Sequence, residues 1–124
     1  MHSVPDELHF PKTMIKTNYT LAALVLTAFV GTAAHADQAA QMARGKELFI
    51  TASVPACAVC HTLKDAGTEG AIGPVLDELQ PDAARVARAL KDGIGAMPSF
   101  KATMSEADIA AVALYVSKAS GGAK

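Results

Sequence analysis

Residues 57–61 read Cys57-Ala58-Val59-Cys60-His61, and the rest of the sequence is interpreted outward from this motif. It has the form C-x-x-C-H, the attachment signal of a c-type haem. Two thiols at this spacing can form thioethers with the two vinyl groups of one porphyrin, and the next residue places an imidazole under the iron. The motif therefore predicts one covalent haem c, with Cys57 and Cys60 as attachment sites and His61 as an iron ligand.

Three other uses of a cysteine pair remain open from the motif alone. A thioredoxin-type redox pair sits beside a βαβ pattern, which this sequence lacks. Half of a zinc site would need more ligands, and His61 is the only histidine after residue 36. A plain disulfide would suit an oxidising compartment. The haem is favoured because an export signal, a helical pattern and a small core accompany the motif.

The amino-terminal third has the parts of a secretory signal peptide. Its apolar run, residues 21–30, follows Lys12 and Lys16 and precedes Ala34-His35-Ala36, which is an A-x-A cleavage site. A bilayer span needs about 20 apolar residues, so the run is too short to cross a membrane comfortably. An uncleaved membrane anchor is the alternative. We expect export to the periplasm and no stable membrane span after cleavage.

Cleavage after Ala36 divides the chain into residues 1–36 and one domain, residues 37–124. Met14 opens a cleaner leader than Met1 does. We therefore expect Met14 to be the true start, with residues 1–13 as an upstream extension.

Composition excludes several classes of function. The 124 residues include 11 Lys and Arg against 12 Asp and Glu, which gives no broad positive field for nucleic acid. The aromatic residues of the predicted domain are Phe49, Phe100 and Tyr115. A chain this short buries too little apolar surface without a staple or a cofactor, so we expect a bound group to fill the core.

Hydrophobic periodicity predicts an all-α domain of about four short helices joined by long loops. Asp82 and Ser105 are predicted N-caps, and Gly93 is a predicted terminator. No strand pattern of period two is present. The predicted helices cover residues 39–52, 75–79, 83–91 and 105–118, with Leu76 and Leu79 facing inward, and residues 64–74 and 92–104 are predicted loops.

The iron needs a sixth ligand or an open site, and the domain offers three methionines. Met42 lies on the inward face of the first helix, where methionine usually fills core space. Met104 directly precedes a helix cap and is expected to pack or to be partly exposed. Met97 lies in a glycine-containing loop, and Pro98 biases it to an extended conformation. Met97 is therefore the predicted sixth ligand, and a His61/Met97 pair favours electron transfer over oxygen chemistry.

Three cations share one face of the predicted helix 83–91: Arg85, Arg88 and Lys91. They are interpreted as a solvated face or as neighbours of the haem propionates, with a patch for a redox partner as the alternative.

The domain resembles the class I (monohaem) cytochrome c family over nearly its whole length. The residues that carry the resemblance are Gly45 and Phe49, Cys57–His61, Gly73-Pro74-Val75-Leu76, Gly95-Ala96-Met97-Pro98-Ser99-Phe100 and Leu114-Tyr115-Val116. The resemblance implies a small fold wrapped around one covalent haem, with the first and last helices crossing.

Further expectations follow from this resemblance. Gly45 and Phe49 would meet Leu114 or Tyr115 at the helix crossing, and the Pro74 carbonyl would accept a hydrogen bond from the His61 ring. The implied function is one-electron transfer, with a dehydrogenase as donor and an oxidase or cytochrome as acceptor. Since the domain has few aromatics, a partly exposed haem edge is also expected.

Two alternatives to a free carrier remain. Residues 56–67 and 73–79 also resemble the small cytochrome subunits or acceptors of molybdenum sulfite dehydrogenases. The chain would then be the non-catalytic haem subunit of a periplasmic dehydrogenase. A sensor or peroxidase with open iron would require Met97 to be absent from the iron.

Overall fold

The computed structural model describes residues 34–123. The predicted leader, with Met14, lies outside these residues except for residues 34–36. Residues Asp37–Lys124 form one compact unit. Within the described part, no helix is both long enough and apolar enough to cross a membrane.

The first helix, α1, covers residues 34–47 and continues into a π-helical turn, Leu48–Ala52. The predicted end at residue 52 is confirmed, but the helix is already present before residue 39. No helix breaker lies between residues 34 and 39, and alanine is the strongest helix former. The π turn places Leu48 and Phe49 in the core, with 2% and 1% of their surface exposed.

A short hairpin follows the cysteine motif. Cys57–Cys60 form one helical turn, α2, and the strands β1 (His61–Leu63) and β2 (Thr68–Ala71) pair antiparallel. The prediction of a loop over residues 64–74 was therefore wrong for β2 and for the intervening 3-10 turn, Lys64–Ala66. Strands of three and four residues are too short to show a period of two.

Two helices after the hairpin are close to those predicted. The turn α3 covers Leu76–Leu79, and α4 covers Ala83–Asp92. The Asp82 carboxylate accepts from the Arg85 backbone N–H at 2.7 Å, which confirms the N-cap. Leu76 is buried as expected, and Leu79, which is 37% exposed, lines the same cavity as Leu76.

The last helix, α5, covers Glu106–Ala119. The Ser105 hydroxyl accepts from the Asp108 N–H at 3.1 Å, so the predicted cap is confirmed. The predicted inward face is buried throughout, and it consists of Ile109, Val112, Ala113 and Val116. The molecule is mostly helical, as predicted, with one small sheet.

The helices α1 and α5 cross where the sequence predicted. A Cβ on Gly45 would overlap the Ala111 carbonyl oxygen and would lie 2.6 Å from the Tyr115 Cβ, so only glycine fits there. The rings of Phe49 and Tyr115 pack edge to face with centroids 6.0 Å apart. Tyr115, rather than Leu114, is thus the partner of both residues on the first helix.

Candidate haem site

The predicted site residues line one cavity. Its volume is about 360 Å³, within the usual range for small-molecule and cofactor sites. The five that line it are Cys57, Cys60, His61, Pro74 and Met97. They come from α2, the start of β1 and two separate loops, so the fold gathers residues that are distant in sequence.

The cavity wall is almost entirely apolar. Among the described lining residues, the ionisable side chains are those of Cys57, Cys60, His61 and Arg85. Arg85 comes from α4. A porphyrin offers large apolar faces and two carboxylates, so an apolar wall with one cation suits it. The apolar side chains of the wall include Phe49, Leu76, Val86, Leu90, Phe100, Val112 and Val116.

The imidazole of His61 is held from its Nδ1 side. Nδ1 lies 2.9 Å from the carbonyl oxygen of Pro74, so the expected contact is present. Since a carbonyl only accepts, Nδ1 carries the proton and Nε2 is left with a lone pair for a metal. A Cβ on Gly73 would lie 2.7 Å from Nδ1, which explains why glycine precedes Pro74.

The two cysteines are free thiols rather than a disulfide. Cys57 is buried, and its Sγ lies 3.7 Å from the Ser53 hydroxyl. Burial raises the pKa of the Cys57 thiol, and the contact with Ser53 offsets part of that rise. Reduced cysteines, and not a disulfide, are what thioether formation needs, because the sulfur and a hydrogen add across the vinyl double bond.

The loop at Met97 is fixed by its backbone. Ile94 and Met97 exchange hydrogen bonds of 3.1 and 2.9 Å, and Gly95 between them has a φ of 58°, which glycine adopts at no steric cost. The half-buried Met97 side chain lines the cavity. Met104 is a core residue and the partly buried Met42 packs against the core, and neither is among the residues that line the cavity.

Two isoleucines that line the cavity were not singled out by sequence analysis. Ile72 and Ile94 are 71% and 66% exposed, and both line the cavity. Each lies next to a glycine in a loop and belongs to no periodic pattern, so no sequence signal marked it. Together with Leu79, these residues form what we call the apolar rim.

The site fits a covalent haem better than it fits the alternatives. Among residues 34–123, no group of three or more His, Cys, Asp or Glu side chains is placed to hold a metal ion, which disfavours zinc. Two free thiols, an oriented imidazole and an apolar cavity are what a c-type haem requires.

Two comparisons with known proteins agree with this site. The family model described as cytochrome C oxidase, cbb3-type, subunit III matches residues 40–116. The crystal structure of the c-type cytochrome SorU from Sinorhizobium meliloti is similar to this chain, with a TM-score of 0.63 and 51% sequence identity. The match covers 65% of this chain and 92% of that one.

The family match includes α2, both cavity loops and most of α5, which are the elements that build the cavity. The cofactor of c-type cytochromes is a covalently bound haem c with its iron, and the cavity fits this group. The chain therefore belongs to this family of c-type cytochromes and is an electron-transfer protein.

Proposed function

We propose that the protein is a periplasmic one-electron carrier whose haem iron is ligated by His61 and Met97. The observation that carries this proposal is that both side chains line the cavity shared with the two cysteines. A methionine thioether raises the reduction potential and closes the iron to exogenous ligands, which favours a carrier over a catalyst.

The chain's own residues hold the site rigid during electron transfer. The bound haem supplies an iron that gains or loses one electron. The Pro74 carbonyl fixes the tautomer and orientation of His61, and the hydrogen-bonded turn at Ile94 fixes the backbone of Met97. A site that keeps its ligands in both oxidation states needs little reorganisation.

The proposed partners are redox proteins, with a dehydrogenase as donor and an oxidase or a second cytochrome as acceptor. The apolar rim lines the cavity, and an electron could leave there over a short distance. Redox encounters use small, short-lived interfaces, below about 1,200 Å². Lys91 is engaged with Glu106 at 2.6 Å, so the cationic face predicted from the sequence is partly neutralised.

Visible spectroscopy of the purified holoprotein tests the ligation. We expect a c-type reduced spectrum and, in the oxidised state, the weak long-wavelength charge-transfer band of a methionine-ligated haem. Met97→Ala should abolish that band, whereas Met104→Ala, a buried methionine outside the cavity, should retain it. A band that survives Met97→Ala would overturn the proposal by showing that another methionine is the ligand. A spectrum that lacks the band in the wild type and is unchanged by Met97→Ala would favour a sensor or peroxidase with another ligand or open iron.

Cell fractionation tests the location. We expect the haem-containing protein in the periplasmic fraction, with Asp37 as its first residue. A cytoplasmic holoprotein, or one that retains residues 21–30, would contradict the export proposal.

A second candidate function is the haem subunit of a periplasmic dehydrogenase such as sulfite dehydrogenase. Residues 56–67 and 73–79, which carry that resemblance, include the cavity wall around His61 and Pro74. Purification at low salt distinguishes the two roles, because a subunit would elute with a larger catalytic chain. Elution as a monomer, with turnover by several donors, would favour the free carrier.

A further inference from the structure

Three hydrogen bonds join residues 60–64 to residues 73–77, and in each of them the two partners are 13 residues apart in the sequence. The Gly73 N–H donates to the Cys60 carbonyl at 2.7 Å. His61 Nδ1 donates to the Pro74 carbonyl at 2.9 Å. The Lys64 N–H donates to the Asp77 carboxylate, Oδ2, at 2.8 Å.

The third contact differs from the others because its acceptor is a carboxylate and not a backbone carbonyl. Asp77 lies in the short helix α3, directly after the Pro74 loop, and Lys64 begins the turn after β1. A hydrogen bond to a carboxylate is stronger than one between neutral groups. The two segments are thus joined at two places, by the bond between His61 and Pro74 and, three residues further along each segment, by the bond between Lys64 and Asp77.

Pro74 needs such an anchor. Proline has no N–H, so this residue cannot tie its own backbone to a neighbour by donating a hydrogen bond. Its carbonyl is held in place by what lies on either side of it. Gly73 fixes the preceding peptide against Cys60, and Asp77 fixes the following segment against Lys64.

The geometry points to Asp77 as a positioning residue that aligns the Pro74 carbonyl with Nδ1 of His61 and so tunes the electron-donating strength of this ligand. The inference rests on the proposed axial role of His61. A carbonyl aligned with Nδ1–H makes the imidazole a stronger donor, which stabilises the ferric state. Losing Asp77 should therefore make the haem easier to reduce.

The test compares Asp77→Ala with three matched variants of the holoprotein. Asp77→Asn keeps an oxygen that can accept from Lys64, although a weaker acceptor than the carboxylate, so it should lie closer to wild type than Asp77→Ala does. Glu78→Ala removes the neighbouring exposed carboxylate, which is outside this set of contacts, and controls for the loss of charge. Lys64→Pro removes the donor instead of the acceptor.

Lys64→Pro suits the local backbone, and it keeps the test valid if Asp77→Ala folds poorly. Lys64 is the first residue of a 3-10 turn, where proline is tolerated, and Leu63 has φ −147° and ψ 116°, as a residue before proline requires. Lys64→Ala, which retains the N–H, is its control.

Two readouts separate positioning from mere stability. At a fixed ambient potential, the ratio of reduced to oxidised protein should rise about threefold or more in Asp77→Ala and Lys64→Pro. The Nδ1 proton of His61, followed by NMR, should exchange with water about tenfold faster in both variants. Combining the two changes should add little, since each removes the same bond.

Wild-type values for both readouts in Asp77→Ala would overturn the inference, even if the variant melted at a lower temperature. A shift equally large in Glu78→Ala would also overturn it, because the cause would then be charge. If the wild-type His61 ring signals carry no paramagnetic shift, the axial role itself is wrong and this inference fails with it. That failure differs from the loss of Met97 ligation, which leaves the His61 signals shifted.

Discussion

The hydroxyl of Tyr115 donates a hydrogen bond of 2.7 Å to Oδ2 of Asp65, so the last helix is tied to the turn that follows the haem-binding segment. Lys46, on the first helix, reaches the same carboxylate at 3.1 Å. The hydrogen bond from Tyr115, with a smaller effect of Lys46, lowers the pKa of Asp65. One carboxylate thus connects three elements around the helix crossing.

Tyr115→Phe should lower the free energy of unfolding by about 1 kcal/mol, because it removes one hydrogen bond to a half-exposed carboxylate and keeps the ring against Phe49. Denaturant unfolding of the holoprotein measures this. Tyr115→Leu, which also removes the edge-to-face packing, should cost more. Wild-type stability in Tyr115→Phe would show that the hydroxyl contributes nothing, and equal losses in the two variants would show that the ring packing adds nothing.

The hydrogen bond between Tyr115 and Asp65 also predicts that the free energy of unfolding decreases at alkaline pH. Burial, followed by the hydrogen bond with Asp65, raises the pKa of Tyr115 above its ordinary value of 10.0. The unfolded chain therefore ionises at a lower pH than the folded protein, so this stabilisation is present below about pH 10 and is lost as the pH rises further. The stability difference between wild type and Tyr115→Phe should shrink above that pH.

Ultraviolet titration gives an independent check. Tyr115 is the only tyrosine after residue 36, so in the processed protein the tyrosinate absorbance reports on it alone. We expect ionisation well above the value of a free tyrosine, coupled to unfolding. Ionisation near pH 10 without unfolding would contradict the prediction.

Gly45→Ala should destabilise the protein by about 1–3 kcal/mol, although alanine is the better helix former by about 1 kcal/mol. The added Cβ would overlap the Ala111 carbonyl oxygen at the crossing of α1 and α5. Thermal unfolding measures the loss. Gly95→Ala is the comparison, because its Cβ would meet open space and its cost comes only from a φ of 58°. A stabilised Gly45→Ala would show that the helices do not approach this closely.

Arg85→Gln should make the reduction potential depend on pH near neutrality. Arg85 is the only cation among the described residues of the cavity wall, and an adjacent cation lowers the pKa of a carboxylate such as a haem propionate by about one unit or more. Without it, a propionate would titrate nearer neutral pH, and its charge would change the potential. Spectroelectrochemistry at several values between about pH 5 and pH 8 measures the pH dependence of the potential.

Arg88→Gln is the control for that experiment. Arg88 is exposed on the same helix and does not line the cavity. A pH dependence that appears equally in both variants would show a general charge effect and would contradict a specific role for Arg85.

Much of the fold could be predicted because its elements are marked locally. Asp82 and Ser105 are capping residues whose side chains can reach backbone N–H groups only three residues away, so they mark helix starts regardless of the rest of the chain. The hairpin was missed because its strands are short and its pairing is set by contacts across a turn, such as the bond from the Leu63 N–H to Thr68.

The sequence by itself determined the cofactor chemistry. The spacing within Cys57–His61 is a local property that suits one porphyrin wherever the segment lies, and the family and the expected helices follow from similarly local patterns. Sequence analysis also indicated Pro74 and Met97, but only the tertiary structure brings them into one cavity with Cys57–His61. The Asp77 contact with Lys64, the Asp65 contact with Tyr115 and the apolar rim arise from packing between elements, because nothing in a residue's near neighbours fixes a contact made across the fold.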